Sequence, residues 1–164
     1  MQRTPILLNP EEIPSQLRSF LADARIFDSS CSPAARVYFL EKGPGFYLKT
    51  APKGTLQREA ELTAYFHGKG LSAEVLAYES LERDWLLTRR IPGEDCTHHL
   101  YLSDPKRLCD TTATLLRHLH ERNYTDCPVV DRNENYLFRA EKGFRSGYFD
   151  SALFPDAWRF PTKE

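Results

Sequence analysis

The sequence lacks the features that mark several common classes of protein. Its N-terminal apolar run is only Ile6-Leu7-Leu8, too short for the core of a signal peptide or for a membrane span. The 22 basic and 23 acidic residues are mixed along the chain without a basic block, so nothing marks a nucleic-acid-binding surface. Neither G-x-x-x-x-G-K-[ST] nor G-x-G-x-x-G occurs, which argues against a P-loop or Rossmann site. We therefore expect neither a membrane nor a nucleic acid as a partner.

Cysteine is also scarce. Cys31, Cys96, Cys109 and Cys127 form no C-x-x-C pair, and a chain of 164 residues can bury a core without disulfides. Reduced thiols in a cytoplasmic protein are the simplest interpretation. The four cysteines and five histidines show no spacing typical of zinc ligands, so the sequence predicts no metal site.

What the sequence does contain is enough apolar material for one domain, with 41% hydrophobic and 12% aromatic residues. Apolar spacing and turn residues predict the order helix, two strands, helix, two strands. This is an α+β pattern with a small antiparallel sheet. The predicted helices cover about residues 9–22 and 54–67, and the predicted strands cover 36–40, 46–49, 73–78 and 84–88.

A connector and further helices follow. Ile91-Pro92-Gly93 interrupts the pattern, and Asp104-Pro105 is a strong helix start that predicts a helix to about Glu121. A last helix is predicted over about residues 133–147. The sequence thus predicts a domain boundary near residue 91.

Lys49 and Glu59 are the pair with the clearest chemical potential. Lys49 ends a predicted strand, and Glu59 lies ten residues later in a predicted helix. A lysine held by a carboxylate can bind nucleotide phosphates, and Tyr47, on the same strand face, can lie against a base. A plainer interpretation also fits: Lys49 as a solubilising charge on an edge strand and Glu59 as a solvated helix residue.

Two loops offer weaker signals. In the loop 29–34, backbone N–H groups and the Ser32 hydroxyl could meet phosphate oxygens, although an ordinary surface turn fits equally. Thr88, Arg89 and Ile91 lead into the connector, where backbone groups could meet an adenine edge. A simple exit from a strand explains the same residues.

Eight short segments between about Phe27 and Asn135 occur in a characteristic order and spacing. They are Cys31-Ser32-Pro33-Ala34, Val37-Tyr38, Tyr47-Leu48-Lys49, Arg58-Glu59, Asp84-Trp85-Leu86-Leu87, Pro92-Gly93, Leu119-His120 and Asp126-Cys127-Pro128. Together they resemble the N-terminal portion of the aminoglycoside phosphotransferases, especially the 3′-phosphotransferases, a family with a protein-kinase-like fold. The resemblance implies a nucleotide-binding N-lobe over residues 1–91. It also implies a connector and the first helices of an incomplete C-lobe over residues 92–164.

The resemblance also implies roles for individual residues. Lys49 would contact the phosphates of ATP or GTP, Glu59 would pair with Lys49, and Tyr47 would stack on the base. Ser32 would lie in the loop over the phosphates. Thr88 would form the back of the adenine pocket, with Arg89 and Ile91 offering backbone groups. These roles favour the lysine–carboxylate pair over the edge-strand interpretation.

One departure from the family pattern is important. The catalytic loop H-G-D-x-x-x-x-N and the D-x-G-type segment that holds Mg²⁺ do not occur in the sequence. We therefore expect a chain truncated before the catalytic loop, without catalytic residues and inactive by itself. The complete protein would be an ATP- and Mg²⁺-dependent aminoglycoside kinase of antibiotic resistance. The alternatives are a related kinase for choline, a sugar or an amino alcohol, and a non-catalytic nucleotide- or protein-binding module.

Overall fold

A computed structural model of the chain describes residues 4–129 and 133–147. Two compact units are present, one ending at Pro128 and one beginning at Val129, and each is considered by itself. The first unit is built on an antiparallel sheet with the strand order β1-β2-β3-β4-β6-β5. The strands are β1 Thr4–Pro5, β2 Arg25–Asp28, β3 Arg36–Glu41, β4 Phe46–Pro52, β5 Val75–Ser80 and β6 Arg83–Arg89.

Along the chain, helices occur before, between and after the strands of this sheet. Two short 3₁₀ turns, Pro10–Glu12 and Ser15–Leu17, come before α1. The helices of the first unit are α1 Arg18–Leu21, α2 Gln57–Gly68, α3 His99–Leu102 and α4 Pro105–His120. The second unit contains α5, Asn133–Arg145. None of the helices within the described part of the chain is long and apolar enough to span a bilayer.

A tight turn sets the register of the central hairpin, β3 with β4. Leu40 lies opposite Phe46, and the turn between them includes Gly45 at a φ of +87°. A side chain there would be strained, and its Cβ would lie only 3.1 Å from Phe39 and from Arg90. Glycine therefore allows this turn to pass close to the start of the connector.

The sheet buries both of its faces. On one face, Leu48 and Leu87 pack with Leu17 and Leu21, and this cluster is the larger part of the core. On the other face, Leu86 packs with Leu56 and Ala60 at the start of α2. Because side chains alternate along a strand, Lys49 lies on the α2 side while Leu48 lies in the larger core.

The predicted four strands and the helix before β5 are confirmed, with shifts of one to three residues at most ends. The predicted α+β class with an antiparallel sheet is confirmed as well. The prediction of one helix over residues 9–22 is wrong, because Pro14 interrupts it and leaves three short turns. β1 and β2 were missed, since strands of two and four residues show too little alternation.

The start of α4 is confirmed in detail, because the Asp104 Oδ1 atom accepts a hydrogen bond from the backbone N–H of Arg107 at 3.0 Å. The short helix α3 was not expected; the His98 side chain caps it by accepting a hydrogen bond from the backbone N–H of Leu100. All four thiols are free.

The exposed apolar side chains of α4 lead to a prediction about association. Leu115 and Leu116 are 60% and 47% exposed. We expect the purified 164-residue chain to self-associate through this surface, because adjacent exposed leucines favour burial against another apolar surface. Size-exclusion chromatography should show species larger than 19.0 kDa.

The matched control for that measurement is a leucine exposed by itself. Leu115→Gln combined with Leu116→Gln should shift the elution toward the monomer, whereas Leu7→Gln, at a fully exposed position, should leave it unchanged. A monodisperse monomer from the parent chain would contradict the prediction.

Candidate functional site

Lys49 and Glu59 form an ion pair beside the sheet. The Lys49 Nζ atom donates to both carboxylate oxygens, at 2.9 Å to Oε1 and 2.7 Å to Oε2. The side chains are 28% and 44% exposed, so the pair is open to solvent on one side. The carboxylate restricts a flexible side chain, so the ammonium is presented in one orientation to an approaching anion.

The position of Lys49 in the sheet excludes one interpretation of this residue. It lies opposite Val37 of β3 and Leu86 of β6. β4 is therefore an inner strand, and the edge-strand interpretation of Lys49 is wrong. A lysine on an inner strand, with its ammonium on a carboxylate of the next helix, is suited to a binding role.

Asp84 fixes the start of the helix that carries Glu59. It is fully buried, and its Oδ2 atom accepts a hydrogen bond from the N–H of Leu56 at 2.8 Å, while Oδ1 accepts from the Ser80 hydroxyl at 2.8 Å. Leu56 is the N-cap residue of α2 and has no capping side chain of its own. The carboxylate of β6 therefore caps a helix 28 residues earlier in the chain, one turn before Glu59.

The ionisation of Asp84 follows from the same contacts. Burial by itself would raise the pKa of this carboxyl. The backbone N–H groups of Leu56 and Gly54 and the side chains of Ser80 and Tyr78 outweigh that effect and hold the pKa below its ordinary value. Asp84 is therefore charged at neutral pH, when it interacts best with the positive end of the helix.

A cavity of about 280 Å³ opens directly beside the ion pair. Tyr47 and Thr88, opposite each other on β4 and β6, contribute to its wall, so the structure brings both together with Lys49 and Glu59. The remaining lining residues are Val37, Thr63, Ala73 and Leu86. An apolar slot with a cation at one end suits a flat ring linked to an anionic group.

A second cavity, of about 550 Å³, shares Val37 and Tyr47 with the first. Ile91 lies in its wall. The other lining residues are Ser29, Cys31, Arg90, Gly93, Glu94 and Asp95. Val37 and Tyr47 thus line both cavities, of which one lies beside the ion pair and the other beside the connector.

The loop between β2 and β3 borders this second cavity and is fixed by hydrogen bonds within the loop and to its two flanking strands. The side chain and backbone N–H of Ser30 lower the pKa of Asp28, helped by Arg36 and opposed by burial. The Ser30 Oγ atom also accepts from the N–H of Val37 at 2.9 Å. Ser32 accepts from the N–H of Ala34 at 3.1 Å and is not among the lining residues.

Just before the connector, the backbone N–H of Arg89, the last residue of β6, is already hydrogen-bonded. The N–H of Arg89 donates to the carbonyl of Glu74 at 2.9 Å, and its side chain forms an ion pair with the Glu74 carboxylate at 2.6 Å. The Arg89 side chain holds the pKa of the Glu74 carboxyl below its ordinary value, against the opposing effect of burial. Any contact of the Arg89 backbone with a base would therefore use the carbonyl oxygen.

Sequence reasoning missed several residues of this site. Val37 and Leu86 flank Lys49, and only the register of β3, β4 and β6 places them there. Asp84 belongs to one of the eight quoted segments, but nothing in the sequence links it to α2. Among residues 4–129 and 133–147, no three His, Cys, Asp or Glu side chains are grouped so that they could hold a metal ion.

Comparison with known proteins places these features in a family. The model of the family described as APH, phosphotransferase enzyme family, matches residues 32–163. A protein of Lactococcus lactis subsp. lactis (strain IL1403), described as "Probable aminoglycoside 3'-phosphotransferase", is 48% identical over 136 residues. That match covers 82% of this chain and 52% of the relative, so the chain spans about half the length of the curated relative.

A solved structure shows the same fold. It is described as an aminoglycoside-3'-phosphotransferase of type VIII and superposes with a TM-score of 0.64 at 23% identity. The superposition covers 85% of this chain and 54% of the solved chain. At this identity the likeness concerns the fold alone.

Proposed function

This chain belongs to the phosphotransferase enzyme family, and we propose that the complete protein is an ATP-dependent aminoglycoside kinase. It would transfer the γ-phosphoryl group of ATP to a hydroxyl of an aminoglycoside antibiotic in the cytoplasm and so confer resistance. The observation that carries the proposal is the Lys49–Glu59 pair, which joins an inner strand to α2 and lines a cavity suited to a nucleotide.

Each predicted site residue has a place in this proposal. Lys49 would neutralise phosphate charge, and Glu59 would keep its ammonium in position. Tyr47 would lie along one side of the base, and Thr88 would close the back of the pocket. Ile91 and the carbonyl of Arg89 would meet the base edge, while Ser32 would act through its loop over the phosphates. The predicted lobes, residues 1–91 and 92–164, are part of the same proposal.

ATP and GTP both fit a slot with a cation at one end, and we propose ATP. Mg²⁺ neutralises phosphate charge in such enzymes and is held by carboxylates. Among the described residues, no three His, Cys, Asp or Glu side chains are grouped so that they could hold a metal ion, so no step is assigned to Mg²⁺ on this chain.

The first prediction of this proposal concerns nucleotide binding by the chain itself. Thermal-shift titration of the 164-residue chain with ATP and Mg²⁺ should raise the melting temperature by about 5 °C or more at a hundredfold excess over Kd. The increase should continue to grow with the logarithm of the nucleotide concentration above Kd, as expected for binding at one site. A melting temperature unaffected by ATP would contradict the proposed nucleotide site.

The substrate class is tested on the complete protein. A panel of kanamycin, choline, a sugar and an amino alcohol with ATP should show phosphorylation of kanamycin. Preferential phosphorylation of choline would assign another branch of small-molecule kinases. Nucleotide binding without transfer to any of the four would favour a binding module.

A further inference from the structure

The C-terminal end of α2 is tied to the loop that follows α4. The Lys69 Nζ atom donates to both oxygens of Asp126, at 3.0 Å each, and the Tyr65 hydroxyl donates to Asp126 Oδ1 at 2.8 Å. The Lys69 ammonium also lies 5.1 Å from the centre of the Tyr65 ring. One carboxylate thus holds two side chains that lie four residues apart on the same face of α2.

Aromatic packing strengthens the same junction. The Tyr124 ring lies 6.5 Å from the Tyr65 ring and 5.9 Å from the Phe66 ring, and the Tyr124 hydroxyl donates to the carbonyl of Leu119 near the end of α4. The loop carrying Asp126 is therefore held to α4 by Tyr124 and to α2 by its carboxylate. Such a loop can act as a fixed support.

Beyond this junction, α2 packs on the sheet through Ala60 and lies beside β5. Of its twelve residues, all within the described part of the chain, Ala60 is the one that is buried. The capping of Leu56 by Asp84 holds the first turn, while the contacts of Asp126 hold the last turn and so limit rotation of the helix about its axis. At a side-chain radius of about 6 Å, a rotation of about 20° would displace the Glu59 carboxylate by about 2 Å. A displacement of that size breaks hydrogen bonds of 2.7 and 2.9 Å to Lys49.

We propose that Asp126 is a positioning residue for the nucleotide site. Through Lys69 and Tyr65 it fixes the orientation of α2, so that Glu59 remains on Lys49 and the ammonium remains directed toward the phosphates. Nucleotide affinity then depends on the loop after α4, which does not line either cavity. This inference rests on the proposed function, since it assumes that Lys49 binds nucleotide.

The test uses the 164-residue chain and compares two junction variants with a matched control. Asp126→Ala removes the support, and Tyr65→Phe removes only the hydroxyl while keeping the aromatic packing. The control is Asp110→Ala, which removes a carboxylate of the same size and charge from an exposed ion pair with Lys106 within α4. Two quantities are measured: the Kd for ATP with Mg²⁺ by calorimetry, and hydrogen exchange of the backbone amides of residues 57–68.

We expect Asp126→Ala to raise the Kd by about three- to tenfold and to accelerate exchange in α2. Tyr65→Phe should have the same effects to a smaller extent, and Asp110→Ala should change neither quantity. Unchanged exchange in α2 for Asp126→Ala would overturn the inference. So would an unchanged Kd in a variant whose α2 exchanges faster.

A second comparison separates positioning from direct contact. In the Glu59→Gln background, Asp126→Ala should cause little further loss of affinity, because its effect acts through Glu59. An equal fold-loss in both backgrounds would overturn the proposed route. If the parent chain binds no nucleotide, the proposed function fails and the inference fails with it. If the parent binds and Asp126→Ala binds equally well, only the inference fails.

Discussion

Lys49→Ala should abolish most nucleotide binding. The substitution removes the ammonium at the mouth of the cavity and leaves the Glu59 carboxylate without its partner, facing the incoming phosphates. Loss of one partner from such a charged contact costs about 2–3 kcal/mol, so we expect the Kd for ATP to rise by about 30- to 150-fold. Isothermal titration calorimetry with ATP and Mg²⁺ measures this directly.

The matched control for Lys49→Ala is Lys106→Ala, which removes a lysine from an exposed ion pair on α4. It should leave the Kd unchanged. Glu59→Gln should fall between the two, because it leaves the ammonium present but less well oriented. Equal Kd values for Lys49→Ala and the parent chain would show that nucleotide, if bound, lies elsewhere.

Asp84→Ala should be the most destabilising single substitution among the residues of this site. The carboxylate is fully buried and accepts hydrogen bonds from the N–H of Leu56 and the Ser80 hydroxyl. Its removal leaves buried donors without an acceptor and takes away the cap of α2. We expect the free energy of unfolding to fall by about 3 kcal/mol in urea denaturation monitored by circular dichroism.

The effect of Asp84 should also depend on pH. Its pKa in the folded protein is lower than in the unfolded chain, so folding favours the charged form. The stability it contributes is fully present above the ordinary pKa of about 3.9 and is lost as pH falls through the lower folded value. The advantage of the parent over Asp84→Asn should therefore be constant at neutral pH and decrease below about pH 4. A difference in unfolding free energy that stays constant down to pH 2 would contradict this assignment.

Local signals in the sequence determined much of the fold. Short apolar runs beside turn residues predicted β3 and β4, and Asp104 with Pro105 predicted the start of α4 at the observed residue. A glycine turn between the two strands was enough to predict their pairing. These features depend on contacts between near neighbours in the chain, so the sequence order itself carries the information.

The sequence was less informative about the N-terminal helix and about the position of β4 in the sheet. It predicted one helix over residues 9–22, but Pro14 interrupts that helix and three short turns form instead. The residue types alone left the roles of Lys49 and Glu59 open, and only the family resemblance favoured the pair, because the sequence could not show whether β4 was an edge or an inner strand. Pairing of β4 with both β3 and β6 decided that question.

By itself, then, the sequence determined the residue types, their spacing and the family resemblance. Only the tertiary structure placed Asp84 under the start of α2 and Asp126 against its end, across separations of 28 and 57 residues. The physical reason is that a carboxylate has no preferred partner in a linear chain. Asp84 finds one when the sheet and α2 close around it and remove the water that would otherwise solvate it. Asp126 stays exposed and finds its partners because the loop after α4 is placed beside the end of α2.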